Sequence, residues 1–177
     1  MELKSEIKNF INELRINVDG LYKGDELQIT SLCNHLNIEY FSAELPKEIS
    51  GSILKNDKSD GYVIYVNEKN SRARQRFTIA HEIGHYISFL CGSHSKKELE
   101  ANGGLEDYAI SYRKSGHHSE AEREANLIAA ELLMPQERVE QLLERGLTPE
   151  EMAEKFYVSI SAMTMRIKEL YPSLMIV

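Results

Sequence analysis

"FTIAHEIGHY" (Phe77–Tyr86) places two histidines four residues apart, with a glutamate directly after the first. On a helix, positions i and i+4 lie about 40° apart on one face, so His81 and His85 can present two imidazoles to one ion, which suits tetrahedral zinc. Glu82, rotated about 100° from His81, stands beside such an ion and not on it, where a general base for activated water belongs. Ile79, Ala80, Ile83, Ile87 and Leu90 fall on the arc opposite His81. The helix is therefore expected to bury that arc and turn its histidines toward a cleft. Gly84, between the histidines, leaves room for close backbone approach. The plainer reading, a core helix whose histidines merely bond to neighbours, suits a lone histidine better than this spacing. The stretch reads as a metal site.

Two histidines need a third protein ligand. One class of zinc peptidases carries a glycine three residues after the second histidine and a third histidine three further on; here Ser88 and Cys91 stand there. The stronger candidate lies in "SEAEREANLIAAELLMP" (Ser119–Pro135). On a wheel of 100° per residue, Ala125, Asn126, Ala129 and Leu133 cluster around Glu122, while Glu124, Glu131 and Glu120 fall opposite, on what reads as a solvated face. Glu122 is thus a carboxylate in an apolar, small-residue stripe, where burial without a partner costs several kcal/mol or a proton. Zinc supplies that partner. The alternative is a capping box, Ser119-x-x-Glu122, in which Glu122 only closes the helix start. Asn126, one turn on, can hydrogen-bond a ligating imidazole.

Around these motifs the pattern is α+β: amphipathic helices, a small sheet, then more helices. Leu3, Ile7, Phe10, Ile11 and Leu14 mark a first helix, and Leu27–Leu36 a second. Strands are expected at Ile38–Ala43, Gly51–Asn56 and Gly61–Asn67, the last reading "GYVIYVN". Helices follow over Arg72–Leu90, Ser119–Met134, Gln136–Arg145, Pro149–Phe156 and Ser161–Tyr171. The polar stretch from Ser93 to Gly116 reads as a long loop, a length more often functional than idle. "GYVIYVN", placed at a sheet edge, would let an extended peptide add as another strand.

At 177 residues the chain fits a single domain, about 1–135 a catalytic core and about 136–177 a helical segment. A net charge of −7 argues against a partner held through phosphates. Two cysteines are too few for a disulfide framework, and no segment reads as a signal peptide or membrane span. The expected compartment is the cytoplasm. "TPEEMAEKFYVSISAMTMRIKEL" (Thr148–Leu170) has the form of a helix-turn-helix, but its acids outnumber its bases. It is expected to pack on the body or meet a protein, with no direct nucleic-acid contact.

With both motifs present, the chain resembles the ImmA/IrrE family of zinc metallopeptidase-like proteins, through "RQRFTIAHEIGHY" (Arg74–Tyr86), "EREANLIAAELLMP" (Glu122–Pro135) and the strand before the first. The resemblance implies zinc held by His81, His85 and Glu122, with Glu82 the catalytic glutamate. It also implies a thermolysin-like zincin core, a metal-bearing helix beside a small mixed sheet. It further implies site-specific endopeptidase activity on a helix-turn-helix transcriptional regulator. Tyr108, Tyr112, His117 and His118 are candidate oxyanion or substrate contacts from the long loop. A non-catalytic, zinc-dependent binding module acting by protein contact is the competing reading, and Glu82 favours the enzyme.

Overall fold

The computed structural model describes residues 2–93 and 120–175. Helix α1 (Ser5–Asn17) buries Ile7, Ile11 and Leu14 along one stripe, as its spacing demands. A two-residue hairpin, β1 (Tyr22–Lys23) and β2 (Glu26–Leu27), precedes α2 (Ile29–His35). Leu27 therefore ends a strand and does not start the helix. Strands β3 (Ile38–Ala43), β4 (Gly51–Lys55) and β5 (Tyr62–Asn67) form a sheet in the order β3-β5-β4, with β3 parallel and β4 antiparallel to β5.

The sequence leaves "GYVIYVN" open to an edge or an interior position, and the structure gives the interior one, because β5 is paired along both sides. A near-continuous apolar run signals a strand buried on both faces, and such strands sit inside sheets. Edge strand β3 reads differently, exposed from Glu39 to Ser42. No peptide can add to β5.

The turn after β5 aims the next helix. Asn67, 2% exposed, donates from Nδ2 to the carbonyls of Leu45 (3.1 Å), Pro46 (3.1 Å) and Ile49 (2.9 Å), tying down the β3–β4 connection. Ser71 then caps α3 (Arg72–Leu90), its Oγ accepting from the Arg74 amide. Arg76 bonds to the Leu27 carbonyl at 2.9 Å and pairs with Glu26 at 3.3 Å, fixing α3 to the hairpin. Gly51 brings β4 against α3, where a Cβ would lie 2.5 Å from Thr78 Cγ2 and 2.6 Å from the Tyr65 carbonyl oxygen.

Among the described residues, four α-helices follow: α4 (Glu120–Leu133), α5 (Gln136–Glu144), α6 (Pro149–Phe156) and α7 (Ile160–Leu170). A capping box between Thr148 and Glu151 starts α6, and Tyr157, at φ 55°, turns the chain into α7. One cluster of buried apolar side chains runs from Ile7 through Ile64, Ile83 and Leu132 to Phe156 and Ile167. Leu90, expected on the buried arc, is 45% exposed, because α3 ends there beyond its supporting neighbours. No helix among the described residues is long and apolar enough to cross a membrane.

Of the acids on the face of α4 opposite Glu122, Glu120 is exposed as expected, but Glu124 and Glu131 are engaged by other segments. Glu124 is buried and pairs with Lys4 at 3.1 Å. Glu131 binds Arg15 at 2.6 Å on one oxygen and Arg166 on the other, joining α1, α4 and α7. Arg166, 5% exposed, also donates from Nε to the Met134 carbonyl at 3.1 Å. Removing one partner of a buried pair leaves the other charge uncompensated, so Glu131→Ala is expected to cost about 3 kcal/mol. A lowered urea midpoint at unchanged slope is the readout.

Candidate metal centre

Helices α3 and α4 meet at Gly84. A Cβ there would lie 2.6 Å from the Ala125 carbonyl oxygen and 3.0 Å from the Ala125 Cα. The backbones can approach this closely because one helix offers no side chain and the other only a methyl. That contact lowers Glu122, one turn before Asn126, onto the histidine face of α3.

The three side chains converge. His81 Nε2 lies 3.1 Å from His85 Nε2 and 3.4 Å from Glu122 Oε2, and His85 Nε2 lies 3.1 Å from Glu122 Oε1. A tetrahedral ion with bonds near 2.0–2.1 Å has ligand–ligand edges of about 3.3 Å. The observed separations fall on either side of that length, so the donor set fits a tetrahedral metal in both chemistry and size. The charges agree with the geometry. Burial pushes the Glu122 carboxyl up, but hydrogen bonds from His81 and His85 outweigh it and hold the group well below the usual carboxylate range. Burial works against a charged His81, yet Glu122, with Glu82 and Asn126 adding to it, raises its pKa above the ordinary value. The cluster gains from a positive charge at its centre. Glu122 lies between the two imidazoles; Ser119, the other half of the capping-box reading, lies outside the described residues.

Glu82 is 4% exposed. Burial raises its pKa, opposed by the nearby His81 and His85 and by a hydrogen bond from the Ile53 backbone of β4. Asn126 accepts at Oδ1 from His81 Nδ1 at 2.9 Å, which leaves the Nε2 lone pair facing the other donors. Phe77 stacks beside the same ring, with centroids 6.5 Å apart. Losing a partner that orients a ligating imidazole typically costs 10–100-fold in metal affinity. Asn126→Ala is accordingly expected to weaken metal binding by about 30-fold, with Asn126→Asp retaining more of it, by competition titration with a chelator.

Tyr108, Tyr112, His117 and His118 lie outside the described residues, as does His94 in the same loop. Cys91 ends α3 away from the three donors, its Sγ 3.9 Å from the Glu6 carbonyl oxygen. Sequence reasoning missed the Ile53 backbone beside Glu82, and the ring stacking of Phe77. Phe77 carried a signal, since it precedes His81 by one helical turn. Ile53 carried none, because its role comes from its backbone.

The mixed α+β arrangement, with small sheets and helices, fits a zincin-like fold. Among proteins of curated function, none matches the chain. A family model for the IrrE N-terminal-like domain, peptidase family M78, matches residues 33–168, from α2 through β3–β5 and both site helices to α7. That span covers most of the chain and every residue of the cluster, and the chain belongs to this family.

Proposed function

We propose that the chain is a zinc-dependent endopeptidase that cuts a helix-turn-helix transcriptional regulator, or a similar regulatory protein, at a specific site. The observation that carries this reading is the His81–His85–Glu122 triangle, sized for a tetrahedral ion, with the buried carboxylate of Glu82 beside it. A purely structural metal needs no such base. His81 and His85 through Nε2, and Glu122 through its carboxylate, would hold the zinc. When bound, it supplies a Lewis acid that polarises a carbonyl and acidifies water. The Glu82 carboxylate takes the proton from the attacking water and returns it to the leaving amine nitrogen. Asn126 keeps the His81 ring in the tautomer that ligates.

Strand β4 offers the substrate a place. The bonds from Asn56 N–H to the Gly61 carbonyl and from Asn67 N–H to the Ser50 carbonyl give even-numbered residues the ladder to β5. Gly51, Ile53 and Lys55 therefore turn their peptide groups to the other edge, where Ile53 reaches Glu82. An extended peptide pairing there would run past the base.

Residues 1–177 are taken as a single metallopeptidase domain, thermolysin-like in its core, with a helix-turn-helix-like C-terminal pair. The continuous buried cluster supports the single unit. The arrangement of α6 and α7 supports a packing or protein-binding role and not a DNA-reading one, because Arg166 is occupied with Glu131 and four acids, Glu150, Glu151, Glu154 and Glu169, flank the pair. The proposed compartment is the cytoplasm, in keeping with Cys33 as a buried free thiol whose pKa burial pushes up to about 12.

The test is incubation of the purified protein with a helix-turn-helix regulator encoded beside its gene, with mass spectrometry of the products. A defined pair of fragments, abolished by a chelator and restored by zinc, is expected. An intact regulator beside fully metallated protein counts against cleavage of that substrate.

A further inference from the structure

A groove of about 770 Å³ runs between the start of α3, the length of α4 and the outer face of α7. Phe77, Met134 and Met165 contribute to an apolar lining, and Met165 is 71% exposed. Arg74 and Arg123, both exposed, stand on its walls. The groove's carboxylate, Glu169, lies 3.6 Å from Arg166, whose charge is already taken by Glu131. Among the described residues no carboxylate pairs with Arg74 or Arg123, which add local positive charge to a chain of net charge −7. Arg74 donates from Nη2 to the neutral Ser50 Oγ at 3.1 Å, a contact that leaves its charge uncompensated. Arg72 and Arg74 lie in the first turn of α3, where the helix dipole favours acids, and that turn holds none.

The groove also touches the metal centre. Phe77 in its lining stacks beside His81, and Asn126 in its wall bonds to His81 Nδ1. An occupant would lie one side chain from the ligands.

We infer that this groove docks the protein substrate, through a segment that sets apolar side chains on its floor and carboxylates against Arg74 and Arg123. The inference rests on the endopeptidase reading of the same site. Docking here would fix which neighbouring stretch of backbone enters the centre, so selection would come from a surface beside the bond being cut. Complementary charge would steer the encounter and reject basic segments.

The test does not depend on hydrolysis. A fluorescein-labelled peptide with a leucine- and phenylalanine-rich centre flanked by glutamates, and its lysine-flanked counterpart, are titrated with Glu82→Gln protein by fluorescence anisotropy. The glutamate peptide is expected to bind about tenfold tighter than the lysine peptide. The preference should vanish or invert in an Arg74→Glu/Arg123→Glu background, and the uncharged change Met165→Ser should weaken both peptides. The gentler Arg74→Gln/Arg123→Gln pair covers the case in which charge reversal perturbs folding. Equal binding of the two peptides, a preference untouched by the arginine changes, displacement of the peptide by duplex DNA, or occupation of the groove by a second copy of the chain would each overturn the inference. Regulator cleavage without peptide preference removes the docking groove and leaves the endopeptidase. Peptide preference without cleavage keeps the groove and removes the endopeptidase.

Discussion

Glu82→Gln is expected to lower the rate of regulator cleavage by about 10²–10⁴-fold, the usual contribution of a positioned acid–base group, while leaving the metal in place. The substitution keeps the size of the side chain and removes its capacity to take a proton. Glu82 contributes no atom to the triangle of His81, His85 and Glu122, so the donor distances should survive. The environment also tolerates an amide: Glu82 is buried, and burial already opposes its charged form. Single-turnover cleavage measured beside metal content separates this outcome from general damage. A variant that cleaves at the wild-type rate would remove Glu82 from the chemistry, and one that loses metal would place it in the binding set.

Glu122→Ala is expected to do the opposite, losing the metal first and activity with it. The change removes one of three donors and the only negative charge among them. Partners one step removed from a metal already cost 10–100-fold when lost, so removal of a ligand should exceed about 100-fold. Stability gives an independent readout. A metal that binds the folded state stabilises it by about 2.7 kcal/mol when present at 100 times its dissociation constant. Added zinc should therefore raise the melting temperature of wild type and of Glu82→Gln, and leave Glu122→Ala unmoved at the same concentration.

Much of the site was legible because helices report their faces locally. The i, i+4 spacing of His81 and His85 needs no tertiary knowledge, and Glu122 betrayed itself as a carboxylate among alanines on a closely packing stripe. Gly84 could be read the same way, and Ala125 fills the space it leaves. Strand β3 and helix α3 were also legible in full, since each has an unbroken pattern bounded by turn residues.

What was misread depends on partners distant in sequence. The same wheel that singled out Glu122 placed Glu124 in solvent, but it is buried and pairs with Lys4, the residue that precedes α1. A wheel describes one helix and nothing of what packs behind it. Strand β5 could be read as an edge or an interior strand, and only its pairing with both β3 and β4 decides the matter. The β1–β2 hairpin escaped because two-residue strands are too short to alternate; its turn rests on Gly24 at φ 64°. The edge of β4 beside Glu82, paired with no other strand among the described residues, is a backbone feature and leaves no mark in side-chain chemistry.

The most direct measurement is metal content, by plasma mass spectrometry, of wild type, Glu82→Gln and Glu122→Ala prepared side by side. A full equivalent of zinc is expected in the first two and almost none in the third. A metal-free wild type in zinc-supplemented preparations, or an undiminished equivalent in Glu122→Ala, would contradict that expectation.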